Sequence, residues 1–158
     1  MEVAGREWYS KVNILIVTRG DRQSGFGHIQ RTSVLARELV KRGHHVEFVT
    51  LANTSGARRL FDFFPQNDTP LCNPDITTLP NMGAVSTYLK HSADGAICII
   101  DIEHGPAEPL IRHAKSHSRK VVVIGGVGFA IHDKQVIDVL VDLQIYQSVI
   151  VTSMNKQR

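Results

Sequence analysis

Cysteine is scarce in this chain: Cys72 and Cys98 are the two present in 158 residues, and they form no close-spaced metal-ligand pattern. Cys98 lies inside an apolar run, where a buried, reduced thiol is expected. No apolar run reaches the roughly 20 residues needed to cross a bilayer. The first residues, Met1 to Lys11, carry Glu2 and Glu7 and no apolar signal core, so a cytoplasmic location follows by default. Aromatic residues make up 6%, too few for a surface on which nucleic-acid bases stack between cations. The net charge of +3 comes from scattered residues such as Arg37, Lys41, Arg42, Arg58, Arg59, Arg119 and Lys120, read as solvated faces, and no nucleic-acid partner is expected. No Gly-Lys-Ser or Gly-Lys-Thr occurs, which excludes the lysine-bearing phosphate loop. There is no internal repeat and no low-complexity segment.

What is present, 42% apolar and 21% charged residues, describes an ordinary globular domain with a full core. Strand and helix signals alternate. Val12 to Thr18 is a β-branched apolar run suited to a buried parallel strand, and His28 to Arg42 places Ile29, Thr32, Leu35, Ala36, Leu39 and Val40 on one helical face before Gly43. A strand follows at His45 to Leu51 and a helix at Ser55 to Phe64, stopped by Pro65. Pro70, Pro74 and Pro80 favour a loop from Gln66 to Met82, with a brief strand near Ile76 to Leu79. Helices at Gly83 to Ser92 and Ala107 to His117 alternate with strands at Ala96 to Asp101 and Lys120 to Ile124. Further β-like runs stand at Val136 to Val141 and Ser148 to Thr152. This alternation predicts an α/β fold, a Rossmann-like doubly wound parallel sheet over residues 12–152 with short tails at 1–11 and 153–158.

In such sheets ligands gather beyond the carboxyl ends of the strands, near the switch in strand order. The loop between the first strand and first helix reads Gly25-Phe26-Gly27-His28-Ile29-Gln30-Arg31. Glycines there let the backbone turn sharply and approach a ligand, and the following helix N-terminus favours an anionic group. His28 is the candidate catalytic residue, and a loop-bracing role is its bland alternative. Asp101 ends its strand and is followed by Glu103 and His104, so a carboxylate and an imidazole fall near the same crevice. Asp101 serves equally well as a helix cap or as a hydrogen-bond partner of the first loop. Gly126 belongs to a third loop at that edge. The first loop lacks the third glycine of a dinucleotide fingerprint, and Thr50-Leu51-Ala52 ends the second strand without an acidic residue, so no nicotinamide or flavin cofactor is expected. His113 and His117 are one helical turn apart, but no third ligand accompanies them, and no metal is expected. Arg19-Gly20-Asp21 spells an adhesion tripeptide by chance.

The run from Gly25 to Leu39, followed by Gly43-His-His-Val-Glu-Phe-Val49, resembles the amino-terminal half of GT-B proteins that process nucleotide sugars. It is most similar to the UDP-sugar hydrolases of pseudaminic acid biosynthesis and their spore-coat polysaccharide relatives, which carry a Gly-x-Gly-His-x-x-Arg signature. Ile99-Ile-Asp101, Val121-Val-Val-Ile124 and Asp138-Val-Leu-Val-Asp-Leu-Gln144 are similar to later stretches of that family. The resemblance implies a UDP-sugar hydrolase or glycosyltransferase in which His28 is the general base at the anomeric centre, taking a proton from water or from a sugar hydroxyl. Imidazole suits that task because its ordinary pKa, about 6.5, lies near working pH. Asp101 would join it in catalysis. Gly25, Phe26, Gly27, Arg31, Glu103, His104 and Gly126 would contact substrate, with Arg31 either orienting a substrate oxygen or bracing the loop. The partners implied are a UDP-sugar and a second, nucleotide-binding domain, which is expected on another chain or segment. The alternative is a non-catalytic assembly module that keeps the fold and docks a partner protein.

Overall fold

Among the described residues six strands form one sheet in the order β3-β2-β1-β4-β5-β6, and every neighbouring pair is parallel. They are β1 (Asn13–Thr18), β2 (His45–Leu51), β3 (Asp75–Leu79), β4 (Ile97–Asp101), β5 (Lys120–Gly125) and β6 (Leu143–Tyr146). The helices among the described residues are α1 (Gly27–Lys41), α2 (Ser55–Phe63), α3 (Met82–Ser92) and α4 (Ala107–His117). The structure, a computed structural model, describes residues 11–22, 25–65, 73–102, 107–125 and 143–146. The β-like runs at Val136 to Val141 and Ser148 to Thr152 lie outside the described residues. β6, between them, was not anticipated.

The alternation of β1 sorts its side chains into two cores, one on each side of the sheet. Ile14 and Ile16 join Val46, Phe48 and Ile99 against Ile29 and Ala36 of α1 and Leu60 of α2. Leu15 and Val17 join Val49, Cys98, Ile100, Val121 and Val123 against Val85 and Leu89 of α3 and Leu110, Ile111 and Ala114 of α4. Both faces are therefore covered, which is why the central strands read as continuous apolar runs. This is the doubly wound α/β fold expected.

Local chemistry sets the helix limits. Thr54 caps α2 by accepting a hydrogen bond from the Ala57 amide at 3.1 Å, and Asn81 caps α3 through the Ala84 amide at 2.9 Å. α2 ends at Phe63, ahead of Pro65. β3 is a full five-residue edge strand where the sequence suggested a loop with a brief strand. It is recruited by tertiary contacts: Glu47 of β2 accepts hydrogen bonds from Thr77 of β3 and Tyr88 of α3, each at 2.5 Å. Strand order reverses between β1 and β4, and it is beyond the carboxyl ends of the strands at such a switch point that sheets of this kind place their ligands.

Candidate functional site

β1 and β4 are paired in register so that Thr18 stands opposite Asp101 at the carboxyl edge. Both residues lie on the side of the sheet covered by α1 and α2, by the alternation of Ile14, Ile16, Ile97 and Ile99. Thr50 follows Val49 at the same end of β2. Thr18, Thr50 and Asp101 are all buried, so a polar row closes the top of an apolar sheet face.

The β1–α1 loop returns over this row. Asp21 and Gly25 pair in an antiparallel bridge, and Gly25 adopts a φ of +79°, a conformation that costs a side-chain-bearing residue energy. The loop is then clamped from the side. A Cβ on Gly56, in the first turn of α2, would sit 2.2 Å from the Gly20 carbonyl oxygen, so backbone meets backbone there. Arg19 donates to Asp21 at 3.3 Å within the same loop. The adhesion tripeptide is thus folded into this clamp. Phe26 occupies the N-cap position of α1, and the Arg59 guanidinium stands over its ring at 4.9 Å from the centroid.

α1 begins with no acidic residue in its first turn and no side-chain cap. His28, in that first turn, is 9% exposed and its ring meets Asp101: Nδ1 lies 2.6 Å from Oδ1. Arg31, one turn on, donates from Nε to Asp101 Oδ2 and from Nη2 to Oδ1, each at 2.5 Å. Arg31 Nη2 is also 2.6 Å from His28 Nδ1. Two residues 70 and 73 positions from Asp101 in sequence thereby converge on one fully buried carboxylate. A buried charge is tolerated when paired and hydrogen-bonded, and Asp101 is both. A proton on Nδ1 would donate to Asp101 and leave the proton-accepting lone pair on Nε2, whereas a bare Nδ1 would accept from Arg31 Nη2.

Of the residues singled out from sequence, His28, Arg31 and Asp101 form this cluster, with Gly25, Phe26 and Gly27 at its lip. A Cβ added at Gly27 would meet nothing within 4 Å among the described residues. Glu103, His104 and Gly126 lie outside the described residues. Arg31 engages the Asp101 carboxylate, as a brace would. Sequence reasoning missed the hydroxyls of Thr18 and Thr50, which have no hydrogen-bond partner among the described residues. A threonine at the end of one apolar strand and one residue before the end of its neighbour was the available signal. It also missed the contact of Arg59 with Phe26, which nothing in the local sequence announces.

Other candidate chemistry lies elsewhere. Cys98 is buried in the α3/α4 core, and burial pushes its thiol up to about 12, out of nucleophilic range. His113 and His117 stack at 4.8 Å, with His117 Nδ1 at 2.9 Å from the His113 carbonyl oxygen. Among the described residues no three His, Cys, Asp or Glu side chains converge to hold a metal ion, and no helix is long and apolar enough to cross a membrane. A groove of about 250 Å³ at the amino edge, lined by Lys11, His44, His45, Asn73 and Asp75 among others, does not include the His28 cluster. Compared with protein-family models, curated proteins and solved structures, the chain matches none.

Proposed function

We propose that this chain is the sugar-binding, base-bearing half of a nucleotide-sugar-processing protein, a UDP-sugar hydrolase or glycosyltransferase of GT-B type, and that His28 is its general base. The observation that carries this reading is the contact of His28 Nδ1 with the buried carboxylate of Asp101, at the carboxyl edge where the strand order reverses. Asp101 orients the ring, and Nε2 takes the proton of water, or of an acceptor hydroxyl, as it attacks the anomeric carbon and UDP departs. Gly25 and Gly27 keep the lip low enough for a sugar to approach, and Phe26 supplies an apolar wall. The nucleotide is held chiefly by a second domain or a partner chain.

The reaction is tested by following UDP release from a panel of UDP-sugars, with the nucleotide-binding domain present. His28→Ala is expected to lower kcat by about 10²- to 10⁴-fold with little change in substrate binding, the contribution of a positioned acid or base. Full rate in that variant would remove His28 from the reaction. The assembly-module reading gains no support from the surface of the described residues. Among the described residues the large apolar side chains exposed are Val34 and Phe61, and such isolated residues are ordinary on a soluble domain.

A further inference from the structure

Arg59 of α2 stands over the Phe26 ring, its guanidinium carbon 4.9 Å from the centroid, which is the geometry of a cation–π contact. Phe26 is the N-cap residue of α1, just before Gly27 and His28, so a cation from a neighbouring helix reaches the lip of the candidate site. The backbone contact of Gly56 with Gly20 sets α2 beside the loop and keeps Arg59 within reach. Contact with a ring leaves the N–H donors of a guanidinium unused. Among the described residues those donors meet no acceptor, and no carboxylate pairs with the charge. The carboxylates of this end of the sheet are engaged by other arginines, Asp21 by Arg19 and Asp101 by Arg31. The first turns of α1 and α2 add no acidic residue. An exposed arginine ordinarily samples many rotamers, and ordering it costs free energy when a ligand binds. Here the Phe26 platform orders it beforehand.

We infer that Arg59, held on Phe26, is a substrate-binding residue that takes an oxyanion of the incoming substrate, either a carboxylate on the sugar or the diphosphate joining sugar to nucleotide. The inference rests on the reading of this lip as the entrance for the sugar, and it adds that the substrate is recognised there by negative charge. A guanidinium suits both groups, because its planar fork meets two oxygens of a carboxylate or phosphate at once. Bracing of Phe26 alone would be served as well by an aliphatic side chain, which covers a ring without placing a charge at the lip. Arg58, the next residue on α2, is also exposed, and no ring contact orders it among the described residues. It provides the comparison for a cation that adds charge to the same helix without being held at the lip.

The test measures binding to the intact chain without turnover. Glucuronate and inorganic pyrophosphate are titrated separately, at low ionic strength, into the chain labelled with ¹⁵N, and the Arg59 side-chain N–H and the Phe26 and Gly27 amides are followed by NMR. Saturable shifts of these signals are expected with at least one of the two anions. Glucuronate alone assigns the charge to the sugar, pyrophosphate alone assigns it to the diphosphate, and both together show a site that reads the oxyanion itself. Arg59→Gln is expected to weaken that binding by about tenfold, the scale of one charge-assisted pairing, whereas Arg58→Gln should change it by less than about twofold. Absence of shifts with both anions, unchanged affinity in Arg59→Gln, or equal losses in the two variants would each overturn the inference. Should Arg59→Gln fail to fold, Arg59→Lys decides instead: it keeps the charge but loses the planar fork, so weaker binding is expected and unchanged affinity would refute the role. The two proposals fail separately. A rate that collapses in His28→Ala with no anion bound at Arg59 sinks this inference alone, and anion binding with full rate in His28→Ala sinks the catalytic reading alone.

Discussion

Asp101 is the residue on which the site turns. Its carboxylate is wholly buried, whereas the Arg31 side chain that binds it remains 26% exposed. The two partners are therefore unequal in what their removal leaves behind. Replacing Arg31 by Met strands a buried anion with an imidazole as its main companion, a change expected to cost about 3 to 5 kcal/mol. Replacing Asp101 by Ala leaves a guanidinium that can reach water, and should cost less. Urea unfolding of the two variants checks the order, and an Asp101→Ala variant less stable than Arg31→Met would contradict it. The histidine, the arginine and the loop glycines could be picked out from spacing alone. That they meet Asp101 could not, because 70 or more residues separate the partners in sequence, and parallel pairing of β1 with β4 is what brings them together.

At the scale of the element, the loop carrying Phe26 is held by backbone contact, and the glycines differ in what they do. Gly56→Ala would drive a methyl group into the Gly20 carbonyl, which cannot move without displacing the β1–α1 loop. It is expected to destabilise the chain by about 1 to 3 kcal/mol, as overpacking does, and to disturb the His28 cluster as well. Gly27→Ala, with open space around it, should fall within about 0.5 kcal/mol of wild type. Thermal unfolding of the pair separates the two roles, and equal losses would show that the clamp is not closed. The helix caps make an independent prediction: Thr54→Ala and Asn81→Ala are each expected to cost about 1 kcal/mol, since each leaves an amide of α2 or α3 without its partner. Chemical denaturation measures this, and no loss in either variant would contradict the capping assignment. Most element limits were legible because apolar period and stop signals agree locally. β3, expected as a brief strand near Ile76 to Leu79, begins one residue earlier at Asp75; its half-exposed threonines carry a weak pattern, and Glu47 and Tyr88 anchor its surroundings.

Across the whole molecule the two faces of the sheet carry different chemistry. The α1/α2 face ends in the His28 cluster, while the α3/α4 face carries its polar contacts at the β3 edge, where Glu47 meets Thr77 and Tyr88, and bears the histidine pair on α4. His113 is held below the ordinary imidazole range, first by burial and then by the charges of His117 and Lys90. Between its folded and unfolded values the unfolded chain binds more protons, so stability rises with pH there. The contribution is present above the unfolded value of about 6.5 and is lost as pH falls through it. The urea midpoint should accordingly drop between pH 7.5 and pH 5.5, by less in His113→Gln than in wild type. An equal drop in both would assign the acid sensitivity elsewhere.

Composition and periodicity alone determined that this chain makes a parallel α/β sheet covered on both sides, and that a glycine-flanked histidine opens its first helix. Those features are local: they depend on the order of apolar and polar residues within ten or fifteen positions, where backbone geometry imposes its own repeat. Tertiary structure decided which carboxylate the histidine meets and that an arginine is bound to it, and it decided that Gly20 and Gly56 lie in contact. Each of these is settled by strand order and register, which come from the packing of two cores against one sheet.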